Sequence, residues 1–139
     1  MKIEFTPIGY VHTDAEKIPR HWTVSDAEGS LHIDAKYLNA LKDIKPGEEI
    51  VVIFNFDRSS AFTENSLVQA PCNRSDKMGV FSICSPIRPN PIGISTVKVL
   101  SINGSVIHVK GIDMLDNTPI LDIKPYVVNT ETCPSCKKQ

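Results

Sequence analysis

The sequence predicts a mainly-β fold, an antiparallel barrel or sandwich with one short helix and long loops. Short segments rich in β-branched residues recur along the chain and are separated by turn signals, as in all-β domains. The pair Asn103-Gly104 stands between two alternating segments, which is a strong signal for a hairpin. Ten prolines against seven glycines further favour strands and loops.

In the first part of the chain we expect two strands and the helix. Alternating apolar residues predict a first strand within residues 3–11, and the polar stretch 12–26 predicts a loop. Residues 31–33 alternate again and predict a short strand. Apolar residues with helical spacing at 37–41 predict a short helix that ends before a Lys-Pro-Gly-Glu turn at 45–48.

The middle of the chain combines a buried strand with a long connection. Residues 50–56 are β-branched and aromatic enough to form a central strand. Residues 57–78 show little periodicity, and so long a connection within one domain is usually functional or mobile. Residues 80–81 predict a brief strand before the next loop.

The last part of the chain predicts the hairpin and two more strands. Residues 95–102 and 106–109 form its two arms. A turn-rich loop follows at 113–119, and short strands are predicted at 120–123 and 126–128.

The segment Ser85–Gly93 contains three prolines and predicts a stiff, extended loop. Such a loop loses little entropy when it holds a ligand. It presents one cation, Arg88, which can serve as a fork for a carboxylate or phosphate. The alternative is a surface arginine in a turn, and the constrained backbone favours the ligand role.

Four other segments carry polar groups, each with an ordinary alternative. Asp57 and Arg58 leave the buried strand, where a rigid element can aim them at a ligand, or they simply begin a solvated loop. Residues 115–119 can turn amides toward a ligand, although such clusters are mostly plain turns. Residues 122–126 place two charges on one strand face or form a surface ion pair. Residues 19–21 offer a cation and an imidazole, although a lone histidine in a loop is mostly just exposed.

Composition limits the partners and the compartment. The net charge of −1 indicates no strong field for a polyanion, so nucleic acid would need a local basic patch. No apolar run approaches the roughly 20 residues that span a bilayer, and the first residues lack a signal-peptide core. We therefore expect a cytoplasmic protein without membrane contact.

Four cysteines are then expected to be thiols. Cys133 and Cys136 have the spacing of half a zinc site or of a redox pair, but no second close pair accompanies them. Cys72 and Cys84 could complete four thiolates, although nothing in the spacing requires it. We predict no metal site and a tail at 131–139.

The chain resembles the TsaA-like, or TrmO, family of tRNA methyltransferases. Gly79-Val80-Phe81 with the proline loop, then residues 115–119, then residues 122–126 carry the resemblance, which spans nearly the whole chain. It implies a small antiparallel β-barrel domain at 1–130, a homodimer and the cofactor S-adenosylmethionine. It also implies methylation of the exocyclic amine of threonylcarbamoyl-adenosine beside the anticodon of a tRNA.

The resemblance also implies the site residues. The cofactor site would gather Pro19, Arg20, His21, Asp57, Arg58, Cys84, Ile94, Leu115, Asp116, Asn117 and Thr118. We add Arg88 to the cofactor site from its place in the stiff proline loop. Asp116, Asp122 and Tyr126 are the candidates, without ranking, for a catalytic group that takes a proton. Basic residues for tRNA phosphates would be Lys17, Arg20, Arg58, Arg74, Lys77 and Arg88.

Two positions depart from the family pattern. Cys84 stands where an arginine is common, and Asp57 stands where a histidine is common. Both changes weaken anion binding. A methyltransferase for another RNA or a small molecule, or a non-catalytic module that binds the cofactor, therefore remain alternatives.

Overall fold

The structure is a computed structural model that describes residues 1–71 and 74–128. Within these residues its strands are β1 Gly9–His12, β2 Glu28–Ile33, β3 Glu49–Asn55, β4 Val68–Gln69, β5 Met78–Gly79, β6 Ile92–Asn103, β7 Val106–Lys110 and β8 Pro119–Pro125. The strand pairs are all antiparallel. The prediction of a mainly-β, antiparallel fold is confirmed.

Six of the strands form one sheet in the order β1-β2-β7-β6-β3-β8. Because β1 also pairs with β8, the sheet closes on itself as a closed barrel. Strands β4 and β5 form a separate two-stranded sheet. The predicted hairpin is confirmed as β6 and β7, with Gly104 at a positive φ of 60° in its turn.

The core follows from the alternation of side chains along each strand. In β3, Ile50, Val52 and Phe54 are buried, and the residues between them are only partly buried. Equivalent inward positions on the other barrel strands complete the core: Val11, Leu31, Val97, Val99, Ile107, Val109 and Ile120. The predicted central strand at 50–56 is therefore confirmed, with its end at Asn55.

The predicted helix at 37–41 is present as a 3-10 helix at Ala35–Leu41. The Asp34 side chain caps its start by accepting a hydrogen bond from the Lys36 amide at 3.1 Å. Shorter 3-10 helices occur at Trp22–Val24, Glu64–Ser66 and Val80–Ser82. No helix in the described residues is long and apolar enough to cross a membrane.

Three strand predictions are wrong in detail. Residues 80–81 lie in a 3-10 helix, where Phe81 is 81% exposed and so has no sheet to pack on. Residues 126–128 follow the end of β8 and are not in a strand. The first strand begins only at Gly9, and Phe5 before it is 66% exposed.

Gly93, the last residue of the predicted proline loop, belongs to strand β6. A Cβ at this position would lie 2.3 Å from the Phe54 ring and 2.8 Å from the Phe56 ring. Glycine is required here because these two rings pack directly against the strand. The rings are 5.0 Å apart and meet edge to face.

Candidate functional site

A cavity of about 390 Å³, named here the central cavity, lies where β3 ends and β6 begins. Its lining comes from separate parts of the chain: Ile18 to His21, Phe54, Phe56, Ile83 to Pro86, Arg88, Ile92 to Ile94, Asp113 and Leu115. Phe54 and Phe56 give it apolar walls, and Arg20 and Arg88 give it two cations. The cavity can therefore hold a ligand with an apolar part and an anionic group.

A smaller cavity of about 230 Å³, named the Asp57 cavity, adjoins the central cavity. Both are lined by Phe54, Phe56, Pro86, Asp113 and Leu115. Asp57, Arg58 and Thr118 line only the smaller one of the two. The two cavities thus form one continuous site at the end of the barrel.

A third cavity of about 530 Å³, named the Gln69 cavity, adjoins the central cavity at another wall. The shared wall consists of Arg20, His21, Ile83, Cys84, Ser85 and Pro86. Residues found only in the third cavity are Thr23, Val24, Gln69, Ala70 and Pro71. The start of the proline loop therefore borders both cavities.

The structure brings most of the predicted cofactor residues to this site. Pro19, Arg20, His21, Cys84, Arg88, Ile94 and Leu115 line the central cavity, and Asp57, Arg58, Leu115 and Thr118 line the Asp57 cavity. Asp116 and Asn117 line neither. The cofactor-binding role of all twelve predicted residues stays a prediction.

Arg88 holds the proline loop in addition to lining the central cavity. Its Nη1 donates hydrogen bonds to the carbonyl oxygens of Ile83 at 3.0 Å and Ser85 at 3.1 Å. Its Nε and Nη2 have no partner among the described residues. One side of the guanidinium is thus structural, and the other is available to a ligand.

Arg58 ties the end of β3 to the loop at 115–118. Its Nη2 donates to the carbonyl oxygen of Asp116 at 2.7 Å and to Thr118 Oγ1 at 3.2 Å. Its Nε lies 3.2 Å from Asp57 Oδ1. The hydroxyl of Thr118 in turn donates to the Leu115 carbonyl at 2.6 Å, so the loop is fixed from within and from β3.

Asp116 and Asn117 face strand β1. Asp116 Oδ1 accepts a hydrogen bond from the Thr13 amide at 3.0 Å and lies 3.0 Å from His12 Nδ1. The Thr13 amide, with help from His12, lowers the pKa of Asp116 below its ordinary value. Asn117 has a φ of 67°, and its backbone N–H donates a hydrogen bond to the Val11 carbonyl oxygen at 2.7 Å. Both residues shape the loop that carries Leu115 and Thr118.

Asp113 is a site residue that sequence reasoning missed. It lines the central and Asp57 cavities, and its carboxylate accepts a hydrogen bond from the Ser95 hydroxyl. Desolvation by burial raises the pKa of Asp113 above the ordinary 3.8, against the opposing effects of Ser95 and His21. A half-buried acid with a perturbed pKa in a cavity is a candidate functional group. Its sequence signal is an acid between two apolar residues, Ile112 and Met114, which are buried.

The structure does not bring the three predicted catalytic candidates together. Asp122 forms an exposed ion pair with Lys124 at 3.0 Å on β8, opposite Ile53 of β3. Tyr126 lines a separate groove of about 650 Å³, named the Tyr126 groove, together with Lys124. Asp116 faces β1. Their catalytic roles stay predictions.

The cysteine motif cannot be placed, because Cys72, Cys133 and Cys136 lie outside the described residues. Cys84 is an exposed free thiol. Within residues 1–71 and 74–128, no group of three or more metal-ligating side chains is arranged to hold a metal ion.

Comparison with known proteins identifies the family. Residues 8–132 match the family described as the tRNA-methyltransferase O N-terminal domain. A protein of Pyrococcus abyssi, named "probable S-adenosyl-L-methionine-binding protein", is 35% identical over 91% of this chain and 70% of its own length. The mouse tRNA (adenine(37)-N6)-methyltransferase is 33% identical over 91% of this chain and 31% of its own length.

A solved structure shows the same architecture. The crystal structure of TrmO from Pseudomonas aeruginosa superimposes with a TM-score of 0.71 and 31% identity, and the match covers 91% of this chain and 57% of that one. The chain thus spans little more than half of the solved protein and about a third of the mouse enzyme. On sequence and structure alike, this chain belongs to the TrmO family, as a member of its N-terminal domain type.

Proposed function

We propose that this chain is an S-adenosylmethionine-dependent methyltransferase that acts on the exocyclic amine of the adenine beside the anticodon of a tRNA. The observation that carries the proposal is the central cavity, which is lined by seven of the twelve residues predicted for the cofactor site, drawn from distant segments of the chain. The names of the relatives, which include an S-adenosyl-L-methionine-binding protein and a tRNA (adenine(37)-N6)-methyltransferase, support it.

The chemistry of the lining fits this cofactor. Arg20 and Arg88 are the cations that would bind the carboxylate of its methionine part. Asp113 is the acid that would receive its amino group or a ribose hydroxyl. Phe56 and Leu115 offer apolar surface for the adenine ring. Each part of the cofactor therefore finds a matching group in one cavity.

The chain's own contribution is then mostly positioning. When bound, the cofactor would supply an activated methyl group on a cationic sulfur, a good leaving group, and the acceptor amine would give up one proton in exchange for the methyl. Arg58 and Thr118 hold the loop 115–118 against β3, and Arg88 holds the proline loop. Fixed walls of this kind align two reactants and account for much of the rate in a direct displacement.

The proton of the amine needs an acceptor, for which Asp116, Asp122 and Tyr126 are candidates by family resemblance. We add Asp113, because it is the acid that lines the central cavity and its pKa is raised. A raised pKa brings an acid closer to the range in which it can exchange a proton. Water at the cavity mouth is the remaining acceptor.

The finer assignment is that the adenine carries a threonylcarbamoyl group, as the family resemblance implies. Cys84, in place of a common arginine, lines the wall between the central and Gln69 cavities. Its position suits a change in acceptor preference, so an enzyme for another RNA is the second candidate. A module that only binds the cofactor is the third, supported by the name of the archaeal relative.

Transfer of label from S-adenosylmethionine separates these candidates. The protein is incubated with the methyl-labelled cofactor and bulk tRNA, followed by nucleoside analysis. Label on the amine of threonylcarbamoyl-adenosine is the expected result, and label on another nucleoside supports the second candidate. Binding of the cofactor without transfer supports the binding module, and no binding overturns all three.

We also propose a homodimer and a cytoplasmic location. Ile92 and Ile94 line the central cavity and are 41% and 63% exposed, so a second copy would cover apolar surface at the cavity mouth. The location follows from the tRNA substrate. Sedimentation analysis and fractionation of cells test the two proposals.

A further inference from the structure

The Gln69 cavity adjoins the central cavity across the shared wall and has no assigned ligand. We infer that it is the acceptor subsite, which receives a purine base flipped out of the RNA, with its exocyclic amine directed to Gln69. The inference rests on the proposed function, since it takes the central cavity as the cofactor site. It adds the place of the acceptor and the residue that recognises the amine.

The Gln69 amide is oriented by two backbone carbonyls. Its Nε2 donates to the carbonyl oxygen of Ser66 at 2.6 Å and to that of Ile87 at 2.8 Å. Because carbonyl oxygens only accept, the two bonds fix which end of the amide is nitrogen. They use both donors of the group, so only the oxygen is left for a ligand.

The oxygen of Gln69 is unpaired and not fully buried, and Gln69 lines the cavity. Oε1 has no hydrogen-bond partner among the described residues. No buried, unpartnered side-chain oxygen occurs in that part of the chain, so Oε1 is accessible to solvent. A fixed acceptor suits a donor such as the N–H of an exocyclic amine.

The remaining lining suits a flat base. Val24, Ala70 and Pro71 are apolar and belong to the Gln69 cavity alone among the cavities of the site, and Ile83 and Pro86 extend the apolar wall. RNA bases outside a helix bind between such surfaces and are read at their polar edges. A volume of about 530 Å³ is within the range of small-molecule sites.

The shared wall places the two cavities side by side, as a direct transfer between two bound ligands requires. A methyl group passes directly between donor and acceptor, so the two ligands must meet at one boundary. Cys84 and Ser85 lie at this boundary and line both cavities. Arg20 also lines both, so its cation can serve a phosphate or carboxylate on either side.

Two RNA hairpins that differ by one amine test the recognition step. One carries adenine on the 3′ side of the anticodon, and the other carries purine, which lacks the exocyclic amine. Binding is measured by fluorescence anisotropy with S-adenosylhomocysteine present, so the readout does not depend on turnover. We expect the wild type to bind the adenine hairpin about 3- to 10-fold more tightly, the range of one neutral hydrogen bond.

Two variants test whether the preference for the adenine hairpin arises in the Gln69 cavity. Gln69→Met removes the acceptor oxygen and should abolish the difference between the hairpins. Val24→Trp fills the cavity from an exposed position, 59% accessible, that does not line the central cavity. It should weaken binding of the adenine hairpin and leave cofactor affinity, measured by calorimetry, unchanged. Val127→Trp, also exposed but outside all three cavities of the site, is the matched control.

Several results would overturn the subsite. Equal binding of the hairpins by a wild type that transfers methyl to bulk tRNA would do so, as would a preference that survives in both variants. A Val24→Trp protein that loses cofactor affinity would assign the cavity to the cofactor instead. If Gln69→Met does not fold, Val24→Trp alone decides. A wild type that prefers adenine but transfers no methyl contradicts the proposed function and supports the subsite.

Discussion

At the scale of single residues, Asp113 is the side chain whose replacement should weaken cofactor binding without lowering the stability of the fold. Its carboxylate is held by Ser95 at the cavity, and burial raises its pKa, so its charge is costly to the fold. An acid with a perturbed pKa that lines a cavity is a candidate for binding or chemistry.

Asp113→Asn should weaken binding of S-adenosylmethionine by about 10-fold or more, because a charged hydrogen bond is replaced by a neutral one. The amide oxygen can still accept from Ser95, so the thermal midpoint should not fall. Calorimetric titration and thermal melts measure the two effects. Asp43→Asn, at an exposed position in the Tyr126 groove, is the control. Unchanged affinity in Asp113→Asn would remove this residue from the cofactor site.

The same residue predicts how stability depends on pH. Its pKa is higher in the folded protein than in the unfolded chain, so its contribution is fully present below the unfolded value, ordinarily 3.8, and is lost as pH rises through the folded value. At neutral pH, Asp113→Asn should therefore be at least as stable as the wild type. Its advantage should shrink as the solution is made acidic. Denaturant unfolding of both proteins over this range measures the difference, and an advantage that grows in acid would contradict the sign.

At the scale of elements, the proline loop shows what the sequence could and could not predict. Its stiffness and the cation at Arg88 follow from local rules on proline. Its internal hydrogen bonds do not, because which carbonyls Arg88 reaches depends on how the chain turns at 83–85. The residue thus has a structural role beside the predicted ligand role.

Arg88→Met should loosen the loop and lower the free energy of unfolding by about 1–2 kcal/mol, because two carbonyl hydrogen bonds are lost. Hydrogen exchange should increase at 83–88 while the barrel strands stay protected. Arg74→Met is the control, because Arg74 is exposed and its side chain forms no hydrogen bond or ion pair with the described residues. Exchange that is unchanged at 83–88 would show that the prolines alone hold the loop.

The strands and the site differ in how far sequence predicts them. Strand β3 and the β6-β7 hairpin were predictable because one face of each is buried, which imposes alternation. Asp113 was not predicted, because its hydrogen-bond partner Ser95 is 18 positions away in the sequence and only the folded barrel brings the two together at the cavity. The Gln69 cavity depends likewise on contacts between the β4 segment and the proline loop.

At the scale of the whole molecule, the open mouth of the central cavity predicts self-association. Ile92, Ile94 and Leu115 line this cavity, and 41%, 63% and 49% of their surfaces are exposed. A twofold interface over the mouth would bury this apolar surface and enclose the cofactor. Sedimentation equilibrium should therefore show twice the chain mass, with a concentration-dependent dissociation.

Ile94→Glu should shift this equilibrium to the monomer, because a charge would be buried in the interface. Leu100→Glu is the matched control, since it lies on the same strand, is 38% exposed and does not line the central cavity. Dilution of the wild type tests the same interface without changing a side chain. If the mouth is the interface, the affinity for the cofactor should fall as the fraction of dimer falls. A wild type that is monomeric throughout, or a dimer that Leu100→Glu breaks as readily as Ile94→Glu, would contradict an interface at the cavity.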